Sequence, residues 1–165
     1  MVVSAIGLLG DQARAEADPD HAAMIMRSNF EGPALILGLF AERFLSRGSG
    51  TIVGISSVAG DRGRASNYVY GSAKAGFSVF LSGLRNRTAK RGVHVLTVKP
   101  GFVRTRMTEG KNLPRPVTAQ PDEVAQAIWR GVSEQKDQIY VRPIWAVIMF
   151  LIRSLPESLF KKTSI

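Results

Sequence analysis

Apolar runs and helical-period stretches take turns along this chain. Met1-Val-Val-Ser-Ala-Ile6 is apolar enough for a strand, and Thr51-Ile-Val-Gly-Ile-Ser56 is a β-branched run of the kind that lies buried in a sheet. Val93 to Lys99 reads as a further strand ended by Pro100-Gly101, and Gln138-Ile-Tyr-Val141 as a last short one. Between them lie helical patterns. Asp18-Pro19-Asp20 reads as a helix start with proline in the first turn, and the pattern runs to about Arg47 before Gly48-Ser-Gly50 ends it. Its apolar positions Met24, Phe30, Leu35, Leu37, Phe40 and Phe44 nearly encircle the helix, which predicts burial on more than one face. A second helix is expected from about Asn67 to Arg91, stopped by Gly92, and a third begins at Pro121-Asp-Glu-Val-Ala. Strand and helix in alternation are the pattern of a parallel sheet covered by helices.

Two segments stand outside that alternation. Thr105 to Gln120 is too long and too rich in proline, glycine and charge for a tight connection, and reads as a mobile lid rather than an inert loop. Ile144 to Ile152 is a continuous apolar run between Arg142 and Arg153, followed by Pro156-Glu-Ser-Leu-Phe-Lys-Lys162. Nine residues of helix rise only about 14 Å, too little for a hydrocarbon core that needs about twenty. Two readings stay open: a helix buried in the core or a dimer interface, or an interfacial helix with Trp145 and the flanking cations at headgroup level.

At 165 residues and 45% hydrophobic, the chain can build one core and is too short for two ordinary domains. It has no cysteine, so disulfides and thiolate metal sites are excluded and a reducing cytoplasm is permitted. His21 and His94 are far apart without ligand-like neighbours, so no metal site is expected. No basic stretch or cleavage pattern marks a signal peptide at the start. The expected location is the cytoplasm, with peripheral contact at the inner membrane face through 143–165 as the elaboration. The net charge of +9 arises from basic residues scattered along helices and loops, which form no nucleic-acid motif. Such a field suits phosphate-bearing ligands or an anionic membrane surface as well as it suits a plain solvated surface.

Candidate chemistry lies in Ser57 to Lys74. Tyr70 and Lys74 are four apart and so share one helix face. Ser57 follows the buried strand, at the strand end where open α/β sheets keep their chemistry. A phenol with a pKa near 10 is a poor acid or base at neutral pH. A neighbouring ammonium is expected to draw it down, while the serine hydroxyl meets charge developing on a substrate oxygen.

Ile55-Ser-Ser57, Tyr70-Gly-Ser-Ala-Lys74 and Val98-Lys-Pro-Gly-Phe-Val-Arg-Thr105, in that order, resemble the short-chain dehydrogenase/reductase family. The resemblance implies catalytic roles for Ser57, Tyr70 and Lys74. It also implies one for Asn29, in Arg27-Ser-Asn-Phe-Glu-Gly32, as the helix asparagine that helps hold a proton-relay water. Tyr70, Lys74, Pro100, Gly101, Val103 and Thr105 would contact the cofactor, NAD or NADP. The implied activity is hydride transfer to or from a carbonyl or alcohol in a homodimer or homotetramer.

That family opens with a strand and a glycine-rich Thr-Gly-x-x-x-Gly-x-Gly turn, for which Gly7-Leu-Leu-Gly10 is no substitute. Met1 to Ile6 resembles its fourth strand instead. The expectation is an α/β chain, 1–165, forming the C-terminal two thirds of a Rossmann-like doubly wound parallel sheet in three αβα layers. It would begin mid-domain, lack the first βαβαβ part, and carry an apolar and basic tail at 143–165. The alternative is a non-catalytic fragment unable to bind the dinucleotide alone. Within the family, Ala5 to Asp11, Ser56 to Asp61 with Arg64, Val103 to Met107 and the ending from Pro156 resemble most closely the branch that reduces decaprenylphosphoryl-2-keto-pentose. That likeness implies a keto-sugar on a polyprenyl phosphate, though a small soluble carbonyl compound remains as open.

Overall fold

The computed structural model describes residues 1–110 and 112–163. Its frame is a four-stranded, all-parallel sheet in the order β1 (Val2–Ser4), β2 (Gly50–Ile55), β3 (Val93–Pro100), β6 (Gln138–Val141). Val3 pairs with Val53, Val53 with Leu96, and Val98 with Ile139, all in parallel, so the carboxyl ends of the four strands lie along one edge of the sheet. β2 and β3 are buried on both faces, which is why they read as continuous apolar runs instead of alternating ones.

Alternate residues of these strands meet helices on opposite sides. Ile52, Val93 and Val95 pack on Leu37, Ala41 and Phe44 of α3 (Gly32–Arg47) and on Phe77 and Leu81 of α4 (Tyr68–Thr88). Val53, Leu96 and Val98 face Val124, Ala127 and Ile128 of α5 (Pro121–Ser133). The result is the three-layer α/β arrangement the alternation predicts. Fully buried side chains such as Leu37, Phe77 and Leu81 each contribute about 1.5–3 kcal/mol.

The long helix expected from Asp18 to Arg47 is three pieces on one path: α2 (Pro19–Met26), a π-helical turn (Arg27–Glu31) and α3. Asp18 caps it by accepting from the backbone N–H groups of Asp20 and His21. The π turn has a cause in the sequence: Pro33 has no N–H to offer the Asn29 carbonyl four residues earlier, so the α ladder must break there. The encircling apolar pattern is only half used. Leu37 and Phe44 are buried, whereas Leu35 is 65% and Leu39 70% exposed. A short helix, α1 (Gln12–Ala17), was not anticipated; Asp11 caps it by accepting from Arg14 N at 2.9 Å.

Part of the expected lid belongs to a separate two-stranded sheet. β5 (Thr118–Ala119) pairs with β4 (Phe102–Val103), and 3-10 turns occupy Arg106–Thr108 and Arg115–Val117.

The apolar run near the end forms α6 (Ile144–Ser154). Trp145 follows the buried one of the two open readings. Trp145 is not at a headgroup-like surface but 5% exposed, its Nε1 donating to the Val117 carbonyl at 3.0 Å and its ring edge-on to Phe102. Trp145 and Met149 are four apart and turn the same face inward onto Val58. Phe150 and Leu151, on the other face, are exposed. Arg62 holds the helix end, donating to the carbonyls of Ile152, Arg153 and Leu155 and to Glu157 of α7 (Glu157–Phe160). Among the described residues no helix is long and apolar enough to cross a membrane.

Candidate active site

Ser57 leaves β2 and enters a tight 3-10 turn, Val58–Gly60, its Oγ accepting from Ala59 N at 3.1 Å. That turn lies hard against α4. A side chain at Gly60 would strike the backbone of Lys74 and Ala75, and one at Gly71 would strike the Ala59 carbonyl. This approach sets Ser57 beside the helix face carrying Tyr70 and Lys74. Ser56 fastens the same junction, its Oγ donating to the Lys74 carbonyl at 2.9 Å and lying 2.7 Å from Ser78 Oγ. Nothing in the sequence set Ser56 apart from Ser57 except its place in the serine pair.

Lys74 is 3% exposed, donates from Nζ to the Ile55 carbonyl at 3.1 Å, and stands 5.7 Å from the centre of the Tyr70 ring. Burial pushes its ammonium down to about 8. Tyr70 moves opposite to expectation. Burial raises the phenol above its ordinary value, and the neighbouring Ser57 hydroxyl only partly opposes this. The ammonium is turned toward the Ile55 carbonyl, so loss of hydration outweighs the expected pull of the cation.

Asn29 sits in the π turn with no exposed surface. Its Nδ2 donates to the carbonyls of Leu8 (2.6 Å) and Ile25 (2.8 Å), and its Oδ1 accepts from Leu8 N (3.2 Å). The loop leaving β1 is thereby fixed between two of the four expected residues. A Cβ on Gly7 would lie 3.0 Å from Asn29 Oδ1 and 3.3 Å from Lys74 Nζ.

These elements enclose a cleft of about 990 Å³ at the carboxyl ends of the strands. Ser57, Tyr70, Lys74, Pro100, Gly101, Val103 and Thr105 all line it, while Asn29 lies behind its wall. Gly101 is fixed by its surroundings: any side chain there would overlap the Trp145 indole.

A family model described as short chain dehydrogenase matches residues 1–115. The chain belongs to the short-chain dehydrogenase family. It is 41% identical over 162 residues to an uncharacterized oxidoreductase of Mycobacterium tuberculosis, covering 97% of this chain. It is 35% identical over 163 residues to an uncharacterized oxidoreductase of Streptomyces coelicolor, covering 98% of this chain. The chain spans 64% of the length of each of these relatives. A short-chain dehydrogenase from Burkholderia cenocepacia, solved in complex with NADP, shares the fold at a TM-score of 0.83 and 21% identity, over 97% of this chain and 68% of that one.

This short-chain dehydrogenase chain holds a second buried lysine that sequence reading overlooked. Lys99 on β3 donates to Asp61 Oδ1 at 2.6 Å, and Tyr140 on β6 donates its hydroxyl to Asp61 Oδ2 at 2.7 Å. Asp61 comes four residues after Ser57, so this cluster ties the serine's turn to both strands.

Proposed function

We propose that the cleft is the reducing site of a nicotinamide-dependent short-chain reductase that converts a carbonyl compound to an alcohol. The observation that carries the reading is the meeting of Ser57, Tyr70 and Lys74, from a strand end and a helix, on one wall of a strand-end cleft. The nicotinamide end of a dinucleotide fits the donor set: Lys74, Tyr70, Pro100, Gly101, Val103 and Thr105 line one cleft, beside a loop kept free of side chain at Gly7. When bound, NAD or NADP in its reduced form supplies the hydride.

The chain's own residues supply the rest. Ser57 Oγ is placed to donate to the carbonyl oxygen as negative charge grows on it. Tyr70, which burial keeps protonated, gives that proton to the same oxygen. Lys74 is still mainly an ammonium at neutral pH and holds positive charge near the phenol as it loses its proton. Asn29 positions the β1 exit loop through its bonds to Leu8 and Ile25.

NADH- or NADPH-dependent reduction of a ketone panel, followed by absorbance, tests the reading. Tyr70→Phe keeps the ring and loses the proton donor, and should lower turnover by about 10²-fold or more. A variant that keeps wild-type turnover would remove Tyr70 from the mechanism.

Two finer features belong to the same proposal. The exposed Leu35, Leu39 and Val79 of α3 and α4 support pairing with a second copy as a homodimer or homotetramer, which sedimentation equilibrium would report; a monomer at all concentrations opposes it. The exposed Phe150 and Leu151 with Arg153, Lys161 and Lys162 support an anionic membrane surface, as a polyprenyl-phosphate keto-sugar would require. Co-sedimentation with vesicles should need acidic lipid, weaken with salt and fall with Phe150→Ser. Binding that ignores lipid charge would discard this feature and leave the reductase reading standing.

A further inference from the structure

Among the described residues, Arg62, Arg85 and Arg142 are each held by several hydrogen bonds. Arg62 makes four hydrogen bonds, Arg85 reaches Val95, Thr97 and Asp137, and Arg142 forks onto both oxygens of Glu123. Arg64 lines the cleft, yet its Nε is buried without a hydrogen-bond partner. The arginine ion pairs of the described residues use Arg14, Arg27, Arg62, Arg85, Arg87 and Arg142, not Arg64. Asp11 also lines the cleft, but its carboxylate already caps α1.

Three residues on, Asn67 repeats the anomaly. It occupies the N-cap of α4, where an asparagine oxygen ordinarily accepts from the first turn, yet it makes no such bond and its Oδ1 is buried without a partner. Asn67 N donates to the Arg64 carbonyl, and the Asn67 carbonyl accepts from Gly71 N, so both residues belong to the turn that delivers Tyr70. Arg64 and Asn67 both line the cleft that Tyr70 and Ser57 line, and each keeps one buried polar atom without a partner. Leaving such groups unpaired is costly, and a ligand toward which these two side chains turn recovers that cost on binding.

We propose that Arg64 is the specificity residue of this cleft and binds an oxyanion, carboxylate or phosphate, carried by the substrate beside its carbonyl. Asn67 Oδ1 then accepts from a hydroxyl of the same molecule. The guanidinium fork matches two oxygens of either anion, which a lysine ammonium would not do. The substrate class is therefore a hydroxylated keto acid or keto-sugar phosphate, not a neutral ketone. The inference rests on the carbonyl-reductase reading for what the anchored molecule undergoes, but the anion site itself does not depend on turnover.

Because the Arg64 Nε–H is buried, it should give a resolved proton–nitrogen signal. Titrating the wild-type chain with inorganic phosphate and, separately, with sodium acetate at constant ionic strength should shift that signal saturably, with a Kd of about 1–10 mM for the better anion. The Nε–H signals of Arg62, Arg85 and Arg142 should stay in place, and the tighter of the two anions names the substrate's group. No saturable shift, or equal shifts at all four arginines, overturns the proposal. Steady-state reduction of a hydroxylated keto acid and of its methyl ester gives the second arm. Wild type should favour the acid in kcat/KM by about tenfold or more, and Arg64→Gln should bring the ratio toward one. A ratio unchanged by Arg64→Gln overturns the assignment of Arg64. Failure of wild type to reduce either ketone while the anion shift persists removes the reductase reading and leaves the anion site.

Discussion

Lys74 and Lys99 are both buried near the carboxyl edge of the same sheet, and each ammonium nitrogen lies close to a tyrosine ring, 5.7 Å from Tyr70 and 5.6 Å from Tyr140. Asp61 makes the difference. It bonds Lys99 and Tyr140 at once, with both of the ion pair's side chains almost wholly enclosed. Burial first, and then Asp61, push the Tyr140 phenol up to about 12, so this tyrosine holds its proton and serves as a post between β3, β6 and the turn after Ser57. Lys74 has only the Ile55 carbonyl and an open cleft before it, and burial without a carboxylate brings it down to about 8. The same two residue types thus yield a closed structural cluster in one place and a site with unspent capacity in the other.

Removing each lysine should break the two pairs in different ways. Lys99→Met leaves the Asp61 carboxylate enclosed without its cation and should cost about 3–5 kcal/mol in chemical denaturation. Lys74→Met takes away a buried charge with no charged partner and so, at neutral pH, should leave stability unchanged or raise it. Equal losses in the two variants would abolish the contrast.

A smaller effect sharpens it. The folded-state pKa of Lys74 lies below its unfolded value, so its share of stability is fully present above about 10.5 and is lost as pH falls through 8. Unfolding free energy of wild type should therefore rise between pH 8 and 9.5, by an amount of order 1 kcal/mol. Above pH 10 the raised pKa values of Tyr70 and Tyr140 act with opposite sign, because the unfolded phenols lose protons first. The rise should vanish in Lys74→Met and survive in a control that leaves Lys74 in place. A rise that persists in Lys74→Met would assign it to another group.

What the sequence revealed follows the range of the interactions concerned. β2, β3, β6 and the start of α5 were legible nearly to the residue, because apolar period and turn residues are local signals. The shared face of Tyr70 and Lys74 was legible for the same reason, since a spacing of four on a helix fixes direction. The sign of the Tyr70 shift was not legible, because spacing gives proximity but says nothing of hydration. Lys99 and Tyr140 meet Asp61 across sequence separations of 38 and 79, and no local pattern joins them. α1 is only six residues long and rests on the Asp11 cap, too short for periodicity to register. In α6 a uniformly apolar run concealed that Trp145 and Met149 form the packed face. The π turn was foreshadowed by Pro33, which the helical pattern around it masked.

We propose that the Lys74–Tyr70 pair performs proton transfer and that the Lys99–Tyr140 pair does not. Measuring kcat for carbonyl reduction in Tyr70→Phe and Tyr140→Phe under one set of conditions tests it most directly. Turnover should fall about 10²-fold or more in Tyr70→Phe and less than about threefold in Tyr140→Phe, whose cost should appear in stability instead. Equal losses of turnover in both variants, or a larger one in Tyr140→Phe, would contradict it.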